Sequence, residues 1–156
     1  MSTPDDWTAS ARRVYFGLLE DWNRQDAAAM AARFTDRGSL VGFDGSVIDG
    51  RTCIEAHLRP IFAGHPTPRF VAKVREVRRM ANGQTLLLRA VAGMWPRGAT
   101  ALEPSLNAIQ TIVLSLCDGA YRIEMFQNTP AAFHGRPDEI EKLSAELRDV
   151  GKPAGA

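Results

Sequence analysis

The feature that most constrains the fold is a series of long apolar runs separated by short turn signals. Asn82-Gly83 and Asp118-Gly119 stand between such runs, and glycine readily adopts the positive φ that tight hairpin turns require. The runs predict antiparallel strands over residues 69–80, 84–95, 105–117 and 121–128. In the first run the apolar parity changes, which predicts a β-bulge near Arg75-Glu76.

Helical patterns precede these strands. Apolar residues recur at three- and four-residue spacing as far as Trp22, which predicts an amphipathic helix that starts at Thr3-Pro4-Asp5-Asp6. Residues 27–34 predict a short second helix, with Asp26 as its N-cap. Asp44-Gly45 then predicts a hairpin with a type I′ turn.

A third helix and a final helix flank the strand region. Thr52 and Glu55 fit a capping box at the start of the third helix. Pro60 lies within its apolar pattern and predicts a kink or break near Leu58. After the strands, residues 136–147 predict a short polar helix whose few apolar positions suit docking on a surface.

Together these elements predict an α+β fold. A length of 156 residues corresponds to one domain, which we expect to cover residues 1–150, followed by a flexible tail at 151–156. We expect a bent sheet with the three N-terminal helices packed in its concave side.

Charge and composition exclude several classes of function. The chain has 19 Lys and Arg against 18 Asp and Glu, so it has no bulk attraction to nucleic acid or anionic membranes. No run approaches the ~18 apolar residues of a membrane span, and the N-terminus lacks the pattern of a signal peptide. With two cysteines, which do not make a disulfide framework, we expect a cytoplasmic protein.

Four aromatic residues are candidates for the mouth of a ligand pocket. Each of them has an alternative interpretation as an ordinary core aromatic. They are Tyr15, Trp22, Phe43 and Phe62. Met94, Trp95 and Met125 could provide a soft apolar lining for a hydrophobic ligand, or they could equally anchor the core and a loop.

Polar residues inside apolar strands form a second group of candidates, because a buried polar group needs a partner. They are Arg89, Asn107, Gln110 and Glu124. They could converge on a ligand, with Glu124 as general base and Arg89 as partner of an anion or carbonyl. Alternatively, Arg89 and Glu124 form a structural ion pair across strands or across a dimer interface. Gln127 could orient a ligand or tie down the C-terminal segment.

His57 is the second candidate for acid–base catalysis. It follows Cys53 by four residues on the third predicted helix, and histidine titrates near neutral pH. A metal site there would need two further ligands that the sequence does not supply. No motif for a phosphate, dinucleotide, haem or flavin cofactor is present, so we expect no metal and no cofactor.

Several motifs resemble the nuclear transport factor 2-like superfamily, also called SnoaL-like or ketosteroid isomerase-like. The resemblance covers residues 7–137, nearly the whole chain. It rests on residues 21–26, 34–38, 41–45 and 50–54, and on Phe126-Gln-Asn-Thr-Pro130 followed by Gly135-Arg-Pro137. The last stretches are most similar to the SgcJ/EcaC-type subgroup, some members of which are encoded among enediyne polyketide biosynthesis genes.

The resemblance implies a cone-shaped mixed or antiparallel sheet around a pocket, and a homodimer formed through the outer sheet face. It does not imply the ketosteroid isomerase reaction. Leu18, Gly42 and a residue near Thr111 or Ile112 stand where that activity needs a tyrosine and two aspartates. The His–Asp pair of the dehydratase branch is not evident either.

These observations leave three hypotheses for function. The first is a protein that binds a small hydrophobic or polyketide-like molecule in an apolar cavity under the first and third helices, as an accessory in specialised metabolism. The second is a cofactor-free isomerase, cyclase or dehydratase that uses His57 or Glu124. The third is a non-catalytic dimerisation or assembly module with a filled cavity.

Overall fold

The computed structural model describes residues 6–153. The predicted helix start at Thr3, Pro4 and Asp5 therefore lies outside the described residues, as does the end of the predicted tail. Three helices come first, interrupted by one hairpin. They are α1 (Asp6–Asn23), α2 (Ala27–Ala32) and α3 (Arg51–Gly64), and the hairpin between α2 and α3 is formed by β1 (Phe34–Val41) and β2 (Val47–Asp49).

Four long strands and a last helix complete the chain. They are β3 (Arg69–Arg79), β4 (Thr85–Trp95), β5 (Ala108–Cys117), β6 (Ala120–Pro130) and α4 (Pro137–Val150). All six strands belong to one sheet with the order β2-β1-β6-β5-β4-β3. The sheet is mixed, because β1 pairs parallel to β6 and every other pair is antiparallel. The chain has the predicted α+β cone fold.

The main hydrophobic core lies between the concave face of the sheet and the first three helices. Alternate strand residues point into it, as the two-residue period of a strand requires. Leu88 and Ile112 are each 0% exposed there, beneath Tyr15 and Leu18 of α1 and Ile54 of α3. The three N-terminal helices therefore occupy the concave side, as predicted.

Turns and bulges follow the predictions in most places. β3 has its register shift between Val74 and Glu76, which confirms the predicted bulge. Asp118 and Gly119 both have positive φ, as a type I′ turn requires. The first hairpin forms as predicted, but its turn is not type I′, because only Gly45 has positive φ there.

The predictions about helix ends were partly wrong. Asp26 caps α2 as predicted, since its carboxylate accepts from Ala29 N at 3.0 Å. The capping box of α3 does not form, because the N-cap is Gly50 and no side chain bonds to the cap. α3 also continues through Pro60 to Gly64 without a break.

The last helix covers part of the convex face of the sheet. Leu143 and Leu147 of α4 are buried there with Val91 and Trp95 of β4 in a second apolar cluster. Gly93 of β4 permits this close approach, since a Cβ at that position would lie 2.9 Å from Leu147 Cδ1. The helix predicted to dock on a surface therefore docks on the outer face of β3 and β4.

An ion pair with β3 fixes the same helix. Glu146 of α4 accepts from Arg75 Nη2 at 2.6 Å and lies 3.3 Å from Lys73 Nζ. The hydrogen bond from Arg75 and the nearby positive charges lower the pKa of Glu146 from 4.5 to about 2.

This lowered pKa predicts an acid-sensitive contribution to stability. A carboxyl group with a depressed folded-state pKa stabilises the fold fully above its unfolded-state pKa, and this stabilisation is lost as the pH falls through the folded-state value. We expect the free energy of urea unfolding to fall between about pH 5 and about pH 2.5, and to fall less in Glu146→Gln. Glu141→Gln, which removes a more exposed carboxyl from the same helix, is the control. An equal decline in Glu146→Gln and wild type would contradict this role.

Candidate functional site

The interior of the cone, where the sequence predicted a ligand cavity, is packed with side chains. Tyr15 is 0% exposed and its hydroxyl donates to Gln110 Oε1 of β5 at 2.6 Å. Gln110 is equally buried, and its Nε2 donates to Asn128 Oδ1 of β6 at 3.2 Å. Burial raises the pKa of Tyr15 well above its usual range, so the phenol remains a neutral donor. Tyr15 and Gln110 therefore hydrogen-bond each other across the interior.

Trp22 and Phe62 pack together with Phe70 in an aromatic cluster at one end of the cone. The ring of Trp22 lies 5.2 Å from that of Phe62 and 5.4 Å from that of Phe70. Its indole Nε1 donates to the Pro68 carbonyl at 2.8 Å. Phe43 does not join them, because it lies half-buried in the turn between β1 and β2.

Residues 21–26, which carry much of the family resemblance, form a structural joint. Asn23 pairs with the backbone of Phe70 at the edge of β3, accepting from its N–H at 2.8 Å and donating to its carbonyl at 3.2 Å. Asp26 caps the next helix by accepting from Ala29 N. This motif therefore fixes how α1, α2 and β3 meet.

Arg89 and Glu124 do not form the cross-strand ion pair that was one interpretation of them. Arg89 Nη1 donates instead to Glu76 Oε1 on the neighbouring strand β3 at 2.7 Å, on the exposed convex face. Glu124 lies at a bulge in β6, where the register with β5 shifts between Val113 and Leu114. Because of this bulge, Phe126 points into the core together with Ile123. Simple alternation along the sequence would instead place Phe126 on the same face as Glu124.

The remaining candidates lie outside the interior of the cone or have structural partners. Met125 and Gln127 pair with Val113 and Thr111 of β5 and lie on the convex face. The other three candidates, Asn107, Trp95 and Met94, each contact neighbouring parts of the fold. Asn107 Nδ2 donates to Ser144 Oγ of α4 at 2.9 Å, Trp95 Nε1 donates to Ala99 O at 2.9 Å, and Met94 packs against the main core.

His57 lies on the solvent face of α3. Ile54 and Leu58 of the same helix are buried against the sheet, which places both His57 and Cys53 on the exposed side. His57 therefore does not face the interior, contrary to the expectation behind its proposed catalytic role. Within residues 6–153, no group of three or more His, Cys, Asp or Glu side chains is arranged to hold a metal ion. No helix of the described part is long and apolar enough to cross a membrane.

A large open cavity lies at the opposite end of the cone from Trp22. It has a volume of about 740 Å³ and lies between the first half of α1 and the β3–β4 and β5–β6 turns. We call this cavity the turn groove. Its apolar walls are Trp7 and Val14 of α1, Leu116 of β5 and Tyr121 of β6. Its volume lies in the range of about 300–1,000 Å³ that is typical of small-molecule sites.

The turn groove is also positively charged. Arg13, Arg33 and Arg79 line it, together with one carboxylate among the described residues, that of Asp6. Arg79 donates from Nε to Gly83 O at 3.2 Å, so its position is coupled to the β3–β4 turn. The groove therefore combines an apolar wall with guanidinium groups, an arrangement suited to amphipathic ligands.

Arg33 is the most firmly held of these cations. Its Nε donates at 2.5 Å to Asp21 Oδ2, and the Asp21 carboxylate is 0% exposed. The guanidinium lies against Gly17 of α1, where any side chain would collide with it. A buried acid and a helix backbone thus fix one edge of Arg33, while its side chain stays 33% exposed at the groove.

Sequence reasoning missed this groove, and few signals could have revealed it. Its walls come from the N-terminal half of one helix and from two hairpin turns that are distant in sequence. Leu116 offered one signal, since it is an apolar residue beside the Asp118-Gly119 turn. In the structure it is 41% exposed. The Arg-rich composition gave no indication of which arginines would meet.

Comparison with solved structures identifies the fold. A domain with a cystatin-like fold from Nostoc punctiforme matches with a TM-score of 0.74 and 25% identity, over 96% of this chain and 93% of that one. A ketosteroid isomerase-like protein from Erwinia carotovora matches at 0.62 and 16% identity, over 79% and 95% of the two chains. An NTF-2-like protein from Shewanella oneidensis matches at 0.60 and 15% identity, over 78% and 98%.

Comparison of sequences gives no further match. No protein-family model matches this chain, and no curated protein matches it in sequence. The neighbours show that the chain has the fold shared by these cystatin-like, ketosteroid isomerase-like and NTF-2-like proteins.

Proposed function

We propose that this chain of nuclear transport factor 2-like fold is a cytoplasmic protein that binds a small, largely hydrophobic molecule in the turn groove. The observation that supports this proposal is the groove itself, which has a volume of about 740 Å³ and an apolar wall. The wall is formed by Trp7, Val14, Leu116 and Tyr121. The SgcJ/EcaC-type resemblance of the C-terminal motifs adds an accessory role in polyketide-type metabolism to this proposal. The ligand class is then a small polyketide-like ring system.

Binding without catalysis is favoured over an enzyme by the positions of the candidate acids and bases. His57 is exposed on α3, and Glu124 lies at the bulge of β6. Neither lines the turn groove. An isomerase, cyclase or dehydratase would need a titratable group within hydrogen-bond reach of the substrate. His57 and Glu124 cannot fill that role for a ligand in the groove, where the described acidic and phenolic groups are Asp6 and Tyr121.

A planar aromatic probe tests this proposal. We expect 2-naphthamide to bind with a measurable Kd in isothermal titration calorimetry. Leu116→Ser is expected to weaken binding about fivefold, because it removes roughly 1 kcal/mol of apolar contact. Val47→Ser is the matched control, since Val47 is also an exposed apolar strand residue but is not part of the groove lining. Absence of binding, or equal weakening by both variants, would contradict the proposal.

A dimer through the outer sheet face forms the second part of the proposal. α4 covers the β3–β4 side of this face, while Val113 and Met125 remain only partly buried on the β5–β6 side. A packed interior in which Tyr15, Gln110 and Asn128 hydrogen-bond one another also favours the assembly hypothesis, for which this dimer would be the functional unit. Sedimentation equilibrium of the same preparations should give a dimer, and a monomer at micromolar concentration would contradict this part.

A further inference from the structure

We propose that the turn groove selects ligands that carry a carboxylate, and that Arg33 is the residue that recognises it. This inference rests on the proposed binding function and adds the chemical class of the ligand. It assigns one occupant to the groove, a small aromatic organic acid whose rings lie on Trp7 and Leu116 and whose carboxylate meets Arg33.

The geometry of Arg33 is the first reason. A guanidinium group offers five N–H donors in a planar fork that matches a carboxylate. Asp21 takes Nε at 2.5 Å and lies 3.5 Å from Nη2 on one edge. Nη1 has no hydrogen-bond partner within residues 6–153, and the side chain lines the groove. Arg33 therefore keeps a donor group that Asp21 does not use, on a side chain that forms part of the groove lining.

The rigidity of Arg33 is the second reason. An arginine side chain free in solvent loses conformational entropy when it binds a ligand, and this loss weakens binding. Here Asp21 and the surface of Gly17 hold the guanidinium in place before any ligand arrives. Binding of a carboxylate to Arg33 therefore loses less conformational entropy than binding to a mobile surface arginine.

The charge of the groove is the third reason. The lining carries Arg13, Arg33 and Arg79 against the carboxylate of Asp6. The buried Asp21 carboxylate offsets part of the charge of Arg33, and an excess of positive charge remains. Arg13 Nη2 donates to Ser10 Oγ at 3.1 Å, which keeps it along the same face of α1. The groove therefore presents positive charge to an incoming anion, although the whole chain is almost neutral.

The test compares two probes that differ only in charge, 2-naphthoate and 2-naphthamide. Calorimetric titration of wild type at low salt should give a Kd at least about tenfold lower for 2-naphthoate, and added salt should reduce this ratio by screening. In Arg33→Lys, which keeps the charge beside Asp21 but loses the planar fork, we expect the ratio to fall to about threefold or less.

A second pair of variants keeps the inference testable if Arg33→Lys does not fold. Arg13→Gln should lower the ratio, whereas Arg12→Gln should not, because Arg12 lies beside Phe16 and outside the groove. Equal affinities for the two probes in wild type would overturn the inference and leave the proposed function standing. Binding of neither probe would overturn both. A ratio unchanged in Arg33→Lys, or lowered equally by Arg12→Gln and Arg13→Gln, would also overturn the inference.

Discussion

Replacement of Arg33 by methionine is expected to lower the free energy of unfolding by about 3 kcal/mol, because it leaves a buried carboxylate without its main partner. Asp21 is 0% exposed, and Arg33 meets it through Nε at 2.5 Å. Its other partner, Arg24, is 60% exposed and reaches it at 2.8 Å from one nitrogen. Methionine keeps much of the aliphatic length, so the measured loss reports mainly the charge. Urea denaturation at neutral pH measures it.

The control for this prediction is Arg24→Met, which removes the more exposed partner of the same carboxylate. We expect a loss below about 1 kcal/mol, since exposed ion pairs contribute little. The double variant Asp21→Asn with Arg33→Met should recover part of the loss, because it removes the buried charge. A loss for Arg33→Met as small as that for Arg24→Met would contradict the importance we give to the Asp21–Arg33 pair.

Replacement of Tyr15 by alanine is expected to lower the free energy of unfolding by about 3–5 kcal/mol. Tyr15 is 0% exposed and extends from α1 across the interior of the cone to Gln110. The variant loses the buried ring, leaves a cavity and removes the donor to Gln110 Oε1. Chemical denaturation followed by circular dichroism measures the change.

Tyr15→Phe separates the hydroxyl from the ring. We expect it to cost only about 1–3 kcal/mol, the range for a buried acceptor left without its donor. Tyr15→Ala should also bind benzene or indole in the new cavity, which would raise its Tm when either compound is added. A cost for Tyr15→Ala below that of Tyr15→Phe would show that the interior is not packed as described.

The architecture of this chain could be predicted from sequence because its determinants are local. The strand runs, the glycine turns and the Asp26 cap each act within a few residues. The bulge at Arg75 was also visible, since apolar parity changes there. By contrast, α3 continues through Pro60, and tertiary packing of Ile54 and Leu58 outweighs the local preference of proline.

The candidate site could not be predicted in the same way because it depends on contacts between distant residues. Gln110 in an apolar strand was correctly identified as needing a partner, but nothing in the sequence named Tyr15, 95 residues away. The bulge at Glu124 places Phe126 on the core face of β6. Glu124 and Phe126 therefore do not share a face, although their two-residue spacing in the sequence predicts that they do.

The resemblance also identified the fold better than it identified a site. Residues 21–26 hold α1, α2 and β3 together through Asn23 and Asp26, and Asp21 anchors Arg33. Such residues are needed for the architecture whatever the chain binds. A motif of this kind therefore predicts the fold and leaves the position of a ligand open.

The position of the ligand is tested most directly by amide and indole chemical-shift mapping of isotope-labelled protein titrated with 2-naphthamide. We predict saturable shifts that cluster on Trp7, Leu116 and Tyr121 around the turn groove. Resonances of Trp22 and Met94 should change little. Shifts centred on Trp22 and Met94 would place the ligand at the opposite end of the cone, and the absence of any saturable shift would contradict binding.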